Sequence, residues 1–304
     1  MGVKTNTVYI SAGSIILSLL VIVVNSCLLL RLAFRKYGAS MQHYSMLIVK
    51  MGFDWFFGII TVVYSGNIIM QIHGIGSTEI LFYFGNCIQS MEATLGILNV
   101  FIALDRLYAM RKPLHYSRSY SRTIQKTAIL SVLLVFGVCF VTYTVTRPPN
   151  LDGYTFTRLV NRSVQSIIHL STVGVLLLSM VVTGVFLQNF HAFLKKQRSN
   201  QIQSYAKNVN AANRVVLYLM AAELFCLVVP NFLEVVLRRH VDLGSFGPVI
   251  HPLYVLYITI SAAMFLISVI TKPQSSPPST VHAVPTSRSV NPESGKPDAW
   301  TSGL

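Results

Sequence analysis

The sequence predicts an all-α fold, a bundle of seven transmembrane helices with the N-terminus outside and the C-terminus cytoplasmic. Three observations predict it. Of 304 residues, 53% are hydrophobic and only 11% are charged, where a soluble domain carries about 25% charged residues. The apolar residues gather into seven long runs, and crossing a bilayer core takes about 20 of them. The Lys and Arg residues cluster beside the ends of alternate runs, which orients a chain in a membrane. A lipid-embedded backbone must satisfy its own hydrogen bonds, so helices are the expected spans. The alternating strands of about ten residues that a barrel needs are not seen.

The first helix is expected at about 8–32, too long for the 7–15-residue apolar core of a signal peptide. Arg35 and Lys36 follow it. The second, about 44–70, contains Lys50 and Asp54, and the third, about 79–109, ends in Asp105-Arg106. Arg111, Lys112, Arg118 and Arg122 come next, and then a fourth helix at about 124–146. The fifth, about 165–193, is followed by Lys195, Lys196, Arg198 and Lys207. The sixth and seventh fall at about 212–237 and 249–271. The opposite side holds the scattered Lys4, Arg147, Arg158, Arg162, Arg238 and Arg239. The positive-inside rule places the larger, clustered set in the cytoplasm. Connections are short, so sequence neighbours should pack together.

Residues 1–271 thus form the membrane domain, and 272–304 change to Pro, Ser and Thr. Such a tail cannot bury a core and is expected to be disordered and cytoplasmic. The net charge of +14 would suggest nucleic acid in a soluble protein. Here the basic residues sit in short loops, as topology requires, so membrane lipid is the expected surroundings and nucleic acid is not a partner. Cys27, Cys87, Cys139 and Cys226 all lie in apolar runs without metal-ligand spacing, so neither a metal, a cofactor nor a disulfide framework is expected. Asn161-Arg162-Ser163 is an N-glycosylation sequon in the expected second outer loop.

Ionisable residues in lipid are costly and mark function by default. Asn25 and Asp54 lie within neighbouring helices, where an amide and a carboxylate can share a hydrogen bond or a water, an interhelical clamp worth about 0.6–2 kcal/mol. Lys50 is one turn before Asp54 on the same face, so it either pairs with Asp54 or snorkels to the interface. Pro230 removes a backbone hydrogen bond and should kink the sixth helix. Glu92 lies about 21 Å along the third helix from Arg106, in the outer half. Gln89 shares its face, and Glu234 is one turn outside Pro230. Asn67, His169, His251, Tyr254 and Tyr257 fall at similar depth. Together they are candidates to line an apolar cavity with a few converging polar groups, which suits a small ligand. Glu223, deeper, reads as an interhelical partner.

Asp105-Arg106 opens the pattern D-R-x-x-A-x-x-x-P-L-x-Y, which runs through Pro113 and Leu114 to Tyr116. This resembles the end of helix 3 and the following loop in rhodopsin-like G-protein-coupled receptors. The resemblance implies that Arg106 is neutralised by Asp105 while the bundle is closed, and meets a heterotrimeric G protein when it opens. It also implies that Asp54 can hold sodium, unless Lys50 takes it. Several features depart from that family. Leu107 replaces an aromatic residue, and Val228 replaces an aromatic toggle before Pro230. Leu81 stands where a helix-3 cysteine is usual, so the outer disulfide is absent. Ile88 argues against an aminergic ligand, and Ser261 to Ile267 lacks the Asn-Pro-x-x-Tyr pattern.

With those departures the chain is most similar to the nematode serpentine chemoreceptors of class bc (Srbc), through Lys50 to Gly58, Ala212-Asn213-Arg214, Pro230-Asn231-Phe232 and Phe246-Gly247-Pro248. The resemblance implies a plasma-membrane chemosensory receptor, at sensory cilia, for an odorant or pheromone-like molecule. The alternative is a ligand-gated channel or a transporter of small solutes. Against it stand the lack of internal repeats and broken helices and an orientation opposite to that of insect-type odorant channels. An enzyme would need paired catalytic groups, and Asp54 and Asp105 lie about half a membrane apart.

Overall fold

The structure is a computed structural model that describes residues 2–34, 45–111, 116, 118–149, 153, 155–197, 214–237 and 250–270. At a few helix ends the side chains, Glu234 among them, lie outside the description. The described residues all belong to one compact unit, Met1–Thr271. The tail expected to be disordered therefore lies outside them.

Seven helices are long and apolar enough to cross a membrane. They are α1 (Gly2–Phe34), α2 (Ser45–Ile72), α3 (Thr78–Arg111), α4 (Arg118–Val145), α5 (Arg162–Gln197), α6 (214–237) and α7 (Ile250–Ile270). α3 is the central strut, mostly buried, and it packs on α2, α4 and α5. Small residues permit the closest approach. A Cβ at Gly96 would stand 2.9 Å from Val175 on α5. α4 is peripheral, with few buried residues. It presents Leu130, Leu133, Leu134, Val138 and Val141 outward, a face suited to lipid. α1 packs on α2 and α7, and α6 bridges α5 and α7.

α2 ends in a tight reversal. The Gly74 N–H bonds the Gln71 carbonyl at 3.1 Å and the Ile75 N–H bonds Met70 at 2.9 Å. This helix-ending pair requires a left-handed residue. Gly74, at φ +81°, supplies it without Cβ strain.

In α6 the local sequence breaks the regular ladder just before Pro230. Leu224–Val228 form a π-turn, and the Val229 N–H reaches back to Leu224. Asn231 then donates its amide to the Leu227 carbonyl at 2.7 Å. A proline has no N–H to give, so the expected disturbance takes the form of a π-turn with a side-chain patch.

Candidate functional site

Three polar clusters sit inside the bundle. The first closes the C-terminal end of α3. Asp105, Arg106 and Tyr116 are 0%, 1% and 7% exposed. The Arg106 guanidinium donates twice to Asp105 Oδ2, through Nε at 3.1 Å and through Nη2. Nη2 also donates to the Tyr116 hydroxyl at 3.1 Å, and that hydroxyl donates to Asp105 Oδ1 at 2.9 Å. The three side chains form a closed triangle in which both carboxylate oxygens are engaged. A buried charge left unpaired would be costly, so this pairing holds the Arg inside. Tyr120 stacks on Tyr108 at 3.8 Å and meets Tyr116 edge-on at 6.0 Å, which backs the triangle with aromatic surface. Arg111 donates to Asn189 at 3.0 Å and ties this end of α3 to α5. Pro113 and Leu114 lie outside the described residues.

The second cluster is in the middle. Lys50 Nζ donates to both Asp54 oxygens, at 2.9 and 2.7 Å, and both residues are 1% exposed. Of the two courses open to Lys50 it takes pairing over snorkelling. The same ammonium lies 4.8 Å over the Tyr257 ring, and Ser261 of α7 donates to Asp54 at 3.4 Å. Of the two links open to Asn25 and Asp54, a direct hydrogen bond or a shared water, the direct bond is not made. Neither polar atom of the Asn25 side chain has a partner, because Lys50 and Ser261 already occupy the carboxylate. Asn25 faces it instead across a void of about 10 Å³ lined by Lys50, Asp54 and Ser261, room for about one water.

The third cluster is nearer the start of α3. Glu92 accepts from Gln89 Nε2 at 2.8 Å through one oxygen and meets His251 Nδ1 at 3.0 Å through the other. The His251 ring packs 5.9 Å from both Phe57 and Tyr64. This brings three of the sequence candidates together. The others scatter. Asn67 is engaged at the helix end: its amide donates to the Ser77 carbonyl at 2.8 Å and accepts from the Ser77 N–H at 3.0 Å. It staples the α2–α3 turn, with one bond at each polar atom of its amide. Tyr254 accepts from Asn231 at 3.3 Å, and Tyr257 donates to Asn99 at 3.2 Å. Both are fully buried between helices. His169 is half-buried on α5, and the Glu234 side chain lies outside the description.

The surroundings of Glu92 are packed rather than open. The α4–α5 connection sends a short 3-10 turn, Phe156–Arg158, into the bundle. Phe156 is 2% exposed and lies 5.8 Å from Phe82 and 5.3 Å from Tyr143. Its N–H donates to the Tyr64 hydroxyl at 3.2 Å. Gly85 makes the space, since a Cβ there would stand 2.6 Å from the Phe156 Cβ. Arg147 braces the same region, donating to Glu79 at 2.7 and 2.8 Å and lying 4.4 Å over Phe82. The sequence reading missed this plug. Its only signals were the aromatics Tyr154 and Phe156 in the α4–α5 connection and a glycine on α3.

Asn161 is exposed and caps α5, accepting from the Ser163 N–H at 2.9 Å. The four cysteines are free thiols. Tyr116 stood in the sequence pattern without a role, and the geometry shows it closing the Asp105–Arg106 pair.

Comparison with known proteins adds two findings. The sequence matches the family described as serpentine type 7TM GPCR chemoreceptor Srbc across residues 3–274. No curated protein matches it. With seven membrane-length helices and a match over most of its length, the chain belongs to the Srbc family of serpentine chemoreceptors, non-enzymatic multi-pass receptors of the membrane.

Proposed function

We propose that this receptor binds a small odorant or pheromone-like molecule in the outer half of its bundle and activates a heterotrimeric G protein at the inner end of α3. In this reading the N-terminus is outside, the tail is cytoplasmic, and the chain works at the plasma membrane of a sensory cilium. The observation that carries it is the Asp105–Arg106–Tyr116 triangle. It buries a guanidinium whose planar donor fork suits the carbonyls of an incoming helix end. The packing supports a closed, unliganded state in which that guanidinium is paired with Asp105 and Tyr116.

The ligand contacts we assign are Glu92, Gln89 and His251. They are polar groups from α3 and α7 converging in an aromatic setting, and they favour a ligand that donates hydrogen bonds. To the same ligand site we assign Tyr254, Tyr257, His169 and Glu234, and to Pro230 the segment that moves. Pro113 and Leu114 extend the G-protein face, and Asn161 carries a glycan.

A G-protein dissociation assay in cells tests the reading against a panel of volatile and pheromone-like compounds. Surface level is matched with an N-terminal tag stained on intact cells. A response lost in Arg106→Ala and weakened in Glu92→Gln is the expected result. A ligand-evoked ionic current that survives Arg106→Ala and G-protein blockade would sink it.

A further inference from the structure

α4 is the least buried of the seven helices, and its exposed face changes chemistry along its length. Arg122 and Lys126 are exposed one turn apart near its start. At helical spacing the same face continues through Ile129 and Leu133, both exposed, to Gly137. Nothing lies within 4 Å of where a Gly137 Cβ would stand, so the apolar stretch carries a shallow notch. From Lys126 to Val145 the helix runs about 30 Å, the thickness of a hydrocarbon core. Lys126 therefore stands at the edge of that core, and Arg122 about 6 Å outside it, at the depth of lipid headgroups. The nearby chain offers these two cations no counterion. No Asp or Glu occurs between Asp105 and Asp152. Neither Arg122 nor Lys126 makes an ion pair among the described residues.

We propose that this face of α4 is a site for one anionic phospholipid. Its headgroup phosphate lies between Arg122 and Lys126, and one acyl chain runs along Ile129, Leu133 and the notch at Gly137. The planar fork of an Arg matches two phosphate oxygens, and a Lys adds a point charge. A zwitterionic headgroup brings its own cation to that pair, so a net negative one is favoured. The face passes without a break into the hydrocarbon core, which selects a lipid over an acidic peptide from solution. Two residues before Arg122, Tyr120 stacks on Tyr108 of α3 at 3.8 Å. The lipid thus fixes the start of α4 beside the Asp105–Arg106–Tyr116 triangle. The cytoplasmic leaflet follows from the orientation proposed above, but the binding does not depend on it.

The test is native mass spectrometry of the full-length receptor, titrated in detergent with phosphatidylserine and, separately, with phosphatidylcholine. We expect the first phosphatidylserine to bind more tightly than phosphatidylcholine. In the double variant Arg122→Gln/Lys126→Gln it should bind about 30-fold more weakly than in wild type. Arg158→Gln, an exposed basic position on the α4–α5 connection, should match wild type. Both altered positions in the double variant are exposed, so its fold should persist, and its Tm in phosphatidylcholine nanodiscs checks that. Phosphatidylserine added to those nanodiscs should raise the Tm of wild type and not of the double variant. Glycerophosphoserine, the same headgroup without chains, should not displace the bound lipid at equal concentration. Wild-type binding of phosphatidylserine no tighter than of phosphatidylcholine overturns the proposal. So does an affinity unchanged in the double variant, or lowered as much in Arg158→Gln, because the lipid then answers to net charge alone. Displacement by glycerophosphoserine overturns the placement of a chain on α4.

Discussion

The Lys50 ammonium holds both oxygens of Asp54, at 2.7 and 2.9 Å, from one helical turn away, with each residue 1% exposed. Breaking a buried pair from one side costs about 3–5 kcal/mol, because the remaining charge is stranded. Lys50→Met is therefore expected to lower the Tm sharply in detergent. Lys50→Met combined with Asp54→Leu should recover most of the loss. A double variant no better than the single would show that the pair is not what Lys50 contributes.

Tyr116→Phe removes a hydroxyl that bonds both Arg106 and Asp105. Hydrogen bonds to charged groups contribute about 1.5–3 kcal/mol. Only part of that separates the closed state from the open one, so ligand-free nucleotide exchange should rise by about 3–10-fold. Equal surface expression is the control. Unchanged basal exchange would count against a latch.

Gly85→Ala places a methyl 2.6–2.7 Å from the Phe156 side chain, at its Cβ and ring carbons. Neither the ring root nor the helix backbone can yield cheaply. The expected cost is about 1–3 kcal/mol, as for other overpacked positions. Adding Phe156→Ala should relieve the clash, so the double variant melts no lower than Phe156→Ala alone. Thermal unfolding of the three variants checks this.

Asn231→Ala leaves the Leu227 carbonyl without its side-chain donor beside Pro230. A buried acceptor left unsatisfied costs about 1–3 kcal/mol. Asn231→Asp should be no better, since a carboxylate has no proton to give that carbonyl when ionised. Hydrogen exchange across residues 224–231 should rise in both variants. Protection equal to wild type would remove Asn231 from the account of the π-turn.

The helices were legible in the sequence because lipid enforces them. Seven apolar runs, bounded by basic residues, left the backbone no alternative, and the pattern from Asp105 to Tyr116 identified the receptor class. Within helices, spacing also indicated real neighbours. Lys50 and Asp54 are four apart and Gln89 and Glu92 three apart, and both pairs bond. What the sequence could not rank was competition for partners between helices. Asn25 lost Asp54 to Lys50 and Ser261. Asn67, at the right depth for a ligand, was taken by the backbone of a turn ten residues on.

The chain alone therefore determined how many helices form, where they run, and which residues carry charge into the bilayer. Those follow from hydropathy and from periodicities of three and four residues. Only the tertiary structure decided that Phe156 plugs the bundle over Gly85 and that His251 meets Glu92 from a helix 159 positions away in sequence. Each of those depends on which helix faces turn toward one another. That is set by the joint packing of all seven helices, which no local stretch of sequence contains.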